Sequence, residues 1–249
     1  MEIDSQIFNF LMHFFNNGKK ENPRFFRRLE NPDIRGCNIL EVGCGTGSLA
    51  IYMVKELGAK KVTAIDIEET NIEFAQANLA HNYPELVGRV EYRPQLLTEL
   101  SLEETFDCVV SKDSFEHIMD FSKIFNSMRD HLNSGGRILA GFGPLWESCK
   151  GGHALTVFPF DHLFLSKNFV LSRYNRKKGT HLKSVYEYGL NMLKLKDYLP
   201  VFDQCGMKQN YLRLNLSDKA IGILFARTLL KLPFFRRFTF NAYLIFTKV

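Results

Sequence analysis

The stretch "ILEVGCGTGSLA", residues 39–50, constrains this chain more than any other. An apolar run leads into three glycines at alternate positions, Gly43, Gly45 and Gly47, and a helical pattern follows. Such a junction sets free N–H groups and the positive end of a helix dipole beside a backbone that glycine lets turn sharply. In an open α/β sheet, ligands bind at that point. The spacing departs from the pyrophosphate fingerprint G-x-G-x-x-G, which needs a glycine where Ser48 stands. Glu41, two residues before the first glycine, would repel a pyrophosphate but suits a ligand carrying an ammonium group and a sulfonium. Asp66 ends the next apolar run, 19 residues past Gly47, where a carboxylate can accept hydrogen bonds from a ribose diol.

Around this loop, strand and helix patterns alternate with short connections. Residues 37–43, 61–67, 89–94, 106–114 and 137–143 read as strands. Helices are expected over 47–59, closing on Gly58, over 70–82, and over 121–133, stopping at Gly135-Gly136. That order predicts an α/β fold, a doubly wound parallel sheet with helices on both faces. A helix over 194–207 and strands over 208–215 and 240–249 close the chain. Apolar groups at helical spacing in residues 4–17 predict an N-terminal helical cover over 1–36. No repeat or low-complexity linker divides the sequence, so 1–249 reads as one domain. Two embellishments stand out: a cap or substrate insertion at about 144–193, and a basic apolar insertion at 216–237.

The pattern E-x-G-x-G-x-G, an acid ending strand two, then "FDCVVSKDSFEHIMD" and "LNSGGRIL", resembles the class I S-adenosylmethionine-dependent methyltransferases, a Rossmann-like family with many small-molecule members. The resemblance covers residues 37–143 well and the last helix and strand more weakly. It implies a seven-stranded sheet of order 3-2-1-4-5-7-6 with strand 7 antiparallel, and S-adenosylmethionine as cofactor. By position, Glu41 and the amides around Gly43, Cys44 and Gly45, with Gly47 closing the loop, would hold the methionine part. Asp66 would hold the ribose and Ile67 would pack on the adenine. Ser111 and Lys112 would run under the methionine and sulfonium. The acid that members usually carry after strand three is missing; Gln95, Leu96 and Leu97 occupy that corner, and Glu99 or Gln95 would have to substitute.

Methyl transfer from a sulfonium is an in-line displacement, so the protein chiefly aligns the acceptor and excludes water. A hydroxyl acceptor must also lose its proton, which directs attention to histidine. His153 and His162 follow strand five, above the ligand crevice, in an aromatic stretch with a Gly-Gly pair beside His153; His117 follows strand four. His153 is the first candidate base, then His117 and His162. His81 and His131 fall on outer helices and are expected to face solvent. No carboxylate cluster of the magnesium-holding kind is visible, so no metal is expected.

The expected activity is therefore methyl transfer to a small-molecule or sugar-type metabolite at a hydroxyl oxygen. An amine acceptor, and a non-catalytic module that only binds S-adenosylmethionine, stand as alternatives, and a nicotinamide oxidoreductase is disfavoured by the glycine spacing. A net charge of +5 falls short of the concentrated basic face of a nucleic-acid binder, and the run "RYNRKK" (173–178) reads as a solvated loop. Five scattered cysteines without a CxxC pair and an N-terminal stretch unlike a signal peptide point to a reduced, cytoplasmic setting. A monomer or homodimer is expected. Membrane association through 216–237 is the less favoured role for that segment.

Overall fold

The computed structural model describes residues 5–217 and 236–249. Seven strands form one sheet in the order β3-β2-β1-β4-β5-β7-β6, as the resemblance implies. The strands are β1 (Asn38–Val42), β2 (Lys61–Asp66), β3 (Val90–Pro94), β4 (Phe106–Lys112), β5 (Leu132–Phe142), β6 (Met207–Leu214) and β7 (Ala242–Lys248). β1 to β5 pair in parallel, and β7 runs antiparallel to both β5 and β6. β1 and β4 are apolar almost throughout because both faces of a parallel sheet are covered. Successive residues serve opposite cores: Ile39 and Cys108 belong to one, Leu40 and Val109 to the other.

The first core lies under α1 (Ser5–Arg28), α2 (Ser48–Lys55) and α3 (Glu69–Asn82). The second lies under α4 (Phe121–Asp130) and α7 (Leu195–Gln204). Here the phenylalanines concentrate. The Phe125 ring, fully buried, meets Phe115, Phe121, Phe202 and Phe246 at centroid distances of 6.0, 5.5, 5.2 and 5.7 Å. Tilted and edge-to-face pairs of this kind add to the area the rings remove from water.

Between β5 and α7 the chain builds a cap with α5 (Asp161–Phe164), α6 (Lys167–Lys178) and a small core of its own: Leu155, Val170, Leu171, Val185 and Leu190. Asn191 fastens the cap to the loop after β4, its Nδ2 donating to the carbonyls of Phe115 (2.7 Å) and Ile118 (2.9 Å).

Several local expectations change. α1 is far longer than residues 4–17, reaching Arg28 and burying Phe15, Phe25 and Phe26. α2 stops a turn early, at Lys55, with Gly58 left-handed at φ 72° in the following turn. α4 ends at Asp130, so Leu132 already pairs with Phe106 and Gly135-Gly136 fall inside β5, beside a register shift. A Cβ on Gly136 would lie 2.8 Å from the Asn133 carbonyl, which accounts for glycine at that bulge. The run 173–178 is the second half of α6 rather than a loop. His131 is buried, its Nδ1 3.0 Å from the Glu104 carbonyl, because it ends α4 at the sheet and not on its outer face. Of the insertion at 216–237, residues 218–235 lie outside the described residues.

Phe125→Ala should cost about 3–5 kcal/mol, the usual penalty for emptying a packed aromatic site. Urea unfolding should show a lower midpoint with an unchanged slope.

Candidate active site

The glycine loop leaves β1 with all three glycines left-handed, at φ 76°, 52° and 80° for Gly43, Gly45 and Gly47. Each has its own reason. A Cβ on Gly43 would fall 2.3 Å from Ser114 Oγ, and one on Gly47 would strike the Tyr92 ring, whose hydroxyl donates to the Gly47 carbonyl at 2.6 Å. A Cβ on Gly45 would meet nothing within 4 Å, so that glycine borders open space.

The loop's own amides are largely spent. The N–H groups of Gly43 and Cys44 donate to the Ile65 carbonyl at 2.9 and 3.1 Å. Gly45 N–H donates to Asp66 Oδ2 at 2.7 Å, and Asp66 Oδ1 accepts from Glu68 N–H at 3.0 Å. This corrects the expectation that amides around Gly43 and Gly45 would face a ligand: Asp66 and β2 use them to hold the bend. Each Asp66 oxygen keeps a second lone pair for a further donor.

Two cavities meet at this bend, sharing Gly43, Gly45, Asn71 and Asp113. The larger, about 730 Å³, is bordered by Asp66, Ile67, Gln95, Leu96 and Leu97 and by His117 across from them. The smaller, about 490 Å³, is floored by Glu41, Cys44 and Lys112 and roofed by Phe10 and Phe14 of α1. Gly47 and Ser111 line neither. Ser111 is buried and its hydroxyl donates to the Val42 carbonyl at 3.0 Å, tying β4 to β1. Glu99 turns back to accept Leu96 N–H at 3.2 Å, whereas Gln95 borders the larger cavity. Asn71, on the first turn of α3, was missed in the sequence. Its signal was its place five residues past Asp66.

Glu41 is 2 % exposed, and its Oε2 is buried with no hydrogen-bond partner. Burial pushes its carboxyl up to about 8, against the pull of Lys112, with Asp66 adding to the rise. Lys112 is itself paired with Asp113 at 2.8 Å. An orphaned carboxyl oxygen on a cavity floor fits a cationic ligand group, which would supply both the missing hydrogen bond and the missing charge. The bend thus brings together a buried carboxyl at Glu41, free lone pairs on Asp66 and an apolar slot beside Ile67 and Leu96, whose side chains are left exposed.

The three candidate histidines differ. His162 is buried in the cap, its Nε2–H donating to the Trp146 carbonyl at 2.7 Å and its Nδ1 accepting from Thr156 at 3.0 Å, so both nitrogens hold the cap together. His117 borders the larger cavity, its Nδ1–H donating to the Gly189 carbonyl at 2.7 Å. His153 lies against it, ring centroids 5.3 Å apart, with a buried Nε2 that has no partner. Burial, and then His117, lower the His153 imidazole to about 4, so the ring is neutral near pH 7. Glu116, buried beside them, is pushed up to about 8 by burial and by Asp113.

Known proteins resemble this chain in sequence and in fold. Residues 39–136 match the family model described as "Methyltransferase domain". Over 108 residues the chain is 35% identical to the "Ubiquinone biosynthesis O-methyltransferase" of Xanthomonas oryzae pv. oryzae, covering 43% of each protein. The chain thus matches less than half the length of that curated relative. An S-adenosylmethionine-dependent methyltransferase from Mesorhizobium loti superposes with a TM-score of 0.59 at 16% identity, over 92% of this chain and 97% of the other. The phosphoethanolamine N-methyltransferase 2 of Haemonchus contortus, in complex with S-adenosyl-L-methionine, gives 0.60 at 18% identity, over 92% and 52%. Residues 39–136 are a methyltransferase domain, set in a chain with the class I S-adenosylmethionine-dependent methyltransferase fold.

Because the folded chain holds the Glu41 proton up to about pH 8 while the unfolded chain releases it near the ordinary value of 4.5, stability falls as pH rises between the two. The loss is at most about 1.4 kcal/mol per pH unit. Glu41→Gln lacks this loss. Thermal melts should show the variant and the parent alike near pH 4.5 and the variant progressively more stable towards pH 8.

Proposed function

We propose that this chain transfers a methyl group from S-adenosylmethionine to a hydroxyl oxygen of a small-molecule or sugar-type acceptor. The observation that carries the reading is the buried Glu41 carboxyl beneath the glycine loop, whose Oε2 has no partner, with Asp66 one strand away. In this reading Glu41 takes the ammonium of the methionine part, the space over Gly45 takes its backbone, and Asp66 accepts from the ribose. Ile67 and Leu96 face the adenine, with Gln95 and Leu97 at its edge. Lys112 favours the ionised Glu41 that the ammonium requires. When bound, the cofactor supplies an electrophilic methyl group on a sulfonium, which leaves as a neutral thioether.

The acceptor enters the larger cavity on the side of His117, Ile118 and Met119. Ile118, Met119 and the cap above them exclude water, and the His117–His153 pair handles the hydroxyl proton. An oxygen acceptor is favoured because the His117 imidazole borders the crevice with His153, which lines neither cavity, packed behind it; a neutral amine would need no such groups. The named relative acts on ubiquinone biosynthesis and the named neighbour on a phosphoethanolamine nitrogen, so both acceptor atoms occur on this fold. A small metabolite acceptor, a monomer or homodimer, and a cytoplasmic setting complete the proposal. Among the described residues no helix is long and apolar enough to cross a membrane.

Asp66→Ala should weaken S-adenosylhomocysteine binding at least tenfold in titration calorimetry; unchanged affinity would remove the ribose assignment. Ligand binding at pH 7 should also release close to one proton, because Glu41 must ionise to meet the ammonium. Calorimetry in buffers of different ionisation heat measures that number, and Glu41→Gln should abolish it. Incubation with a panel of hydroxyl and amine metabolites separates the oxygen, nitrogen and non-catalytic readings by which product, if any, is methylated.

A further inference from the structure

We propose that Glu116, His117 and His153 form a binding site for a divalent transition-metal ion at the acceptor end of the crevice. One ligand atom from each side chain lies within 4.8 Å of the others. A zinc ion with bonds of about 2.1 Å keeps tetrahedral ligands about 3.4 Å apart. Side-chain movements on the order of 1 Å therefore close the set around an ion.

The bonds these residues already make leave the right atoms bare. His117 gives its Nδ1–H to the Gly189 carbonyl, which fixes the tautomer with a lone pair on Nε2. His153 hydrogen-bonds the Pro144 backbone, and its buried Nε2 has no partner. Glu116, 4 % exposed, accepts Gly143 N–H on Oε1 at 3.2 Å, and its buried Oε2 has no partner. Metal-ligating histidines characteristically donate their second ring N–H to a carbonyl or carboxylate in this way. Two unpartnered buried polar atoms on side chains of one cluster are costly, and a shared cation would satisfy both at once. Asp113, close enough to act electrostatically on Glu116 and His153, adds negative charge at the open side.

Two imidazoles and one carboxylate select zinc, manganese or iron over magnesium and calcium, which prefer all-oxygen surroundings. Three protein ligands leave a position free, and His117 and Asp113 border the larger cavity, so that position faces the acceptor. This rests on the function proposed above but changes the role of the two imidazoles: with their lone pairs on the ion they no longer take the proton, and the ion would bind the acceptor hydroxyl and ease its ionisation. The proton passes to water, the oxygen–methyl bond forms, and the sulfur–methyl bond breaks with its electron pair left on sulfur. The clustering was hidden in the sequence because Glu116 and His117 stand 36 and more residues from His153.

The test uses chelator-treated full-length protein titrated with Zn²⁺, Mn²⁺ or Mg²⁺ by calorimetry, with the Mn²⁺ electron-spin signal as a second readout. One equivalent of Zn²⁺ and of Mn²⁺ should bind, Mg²⁺ should not compete, and His153→Ala and Glu116→Gln should each weaken binding at least tenfold. Thermal melts identify a variant that fails to fold, and the other variant then decides. Absence of stoichiometric binding, binding unchanged in the folded variants (as cysteine capture would give), or preference for Mg²⁺ overturns the site. S-adenosylhomocysteine affinity, measured on the same metal-free protein, keeps the cofactor reading separate: its loss would not touch the metal result, nor the reverse.

Discussion

A carboxylic acid sealed beneath a glycine bend governs the rest of this structure. Glu41 sits on a central strand where both sheet faces are covered, so its charge cannot be solvated by water. Lys112 comes from the end of the neighbouring strand and only partly offsets that cost. The bend above Glu41 is held open by Asp66, which consumes the Gly45 N–H, and by Tyr92, which reaches under Gly47. Such an arrangement spends folding stability on a carboxyl oxygen, Glu41 Oε2, that has no partner within the fold. That is the pattern expected when a site is organised before its ligand arrives.

The strands were legible in the sequence because each strand of a buried parallel sheet is an apolar run ended by glycine, proline or an acid, and their order followed from the family resemblance. The glycine loop was legible for the same reason, since Gly43, Gly45 and Gly47 have no other use in a strand–helix junction. What the sequence could not show was how the loop's donors are spent. Asp66 reads as a ligand acid from its position, and only the fold shows that it also clamps Gly45. Ser111 matches the family position yet donates inward to Val42, because its place on β4 points it between strands and away from the cleft. His131 deceived by periodicity: it falls on the helical pattern of α4 but belongs to the turn that enters β5.

The cap shows the complementary limit. Its segments carry weak periodicity, so α6 was hidden in a basic run and the roles of His153 and His162 could not be separated. The separation is made by long-range contacts. His162 is claimed by Trp146 and Thr156 inside the cap, while His153 is delivered from the cap against His117. Asn191 makes that delivery rigid by bonding the loop that carries Glu116 and His117. Cap and loop therefore form one polar seam beside the larger cavity.

The central claim is that Glu41 and Asp66 clasp the two ends of one cationic nucleoside. A crystal structure with S-adenosylhomocysteine tests it most directly. The account predicts the ligand's ammonium within about 3 Å of Glu41 Oε2 and its ribose hydroxyls at similar distance from Asp66. A ligand seated elsewhere, or a cleft still empty at saturating concentration, would contradict it.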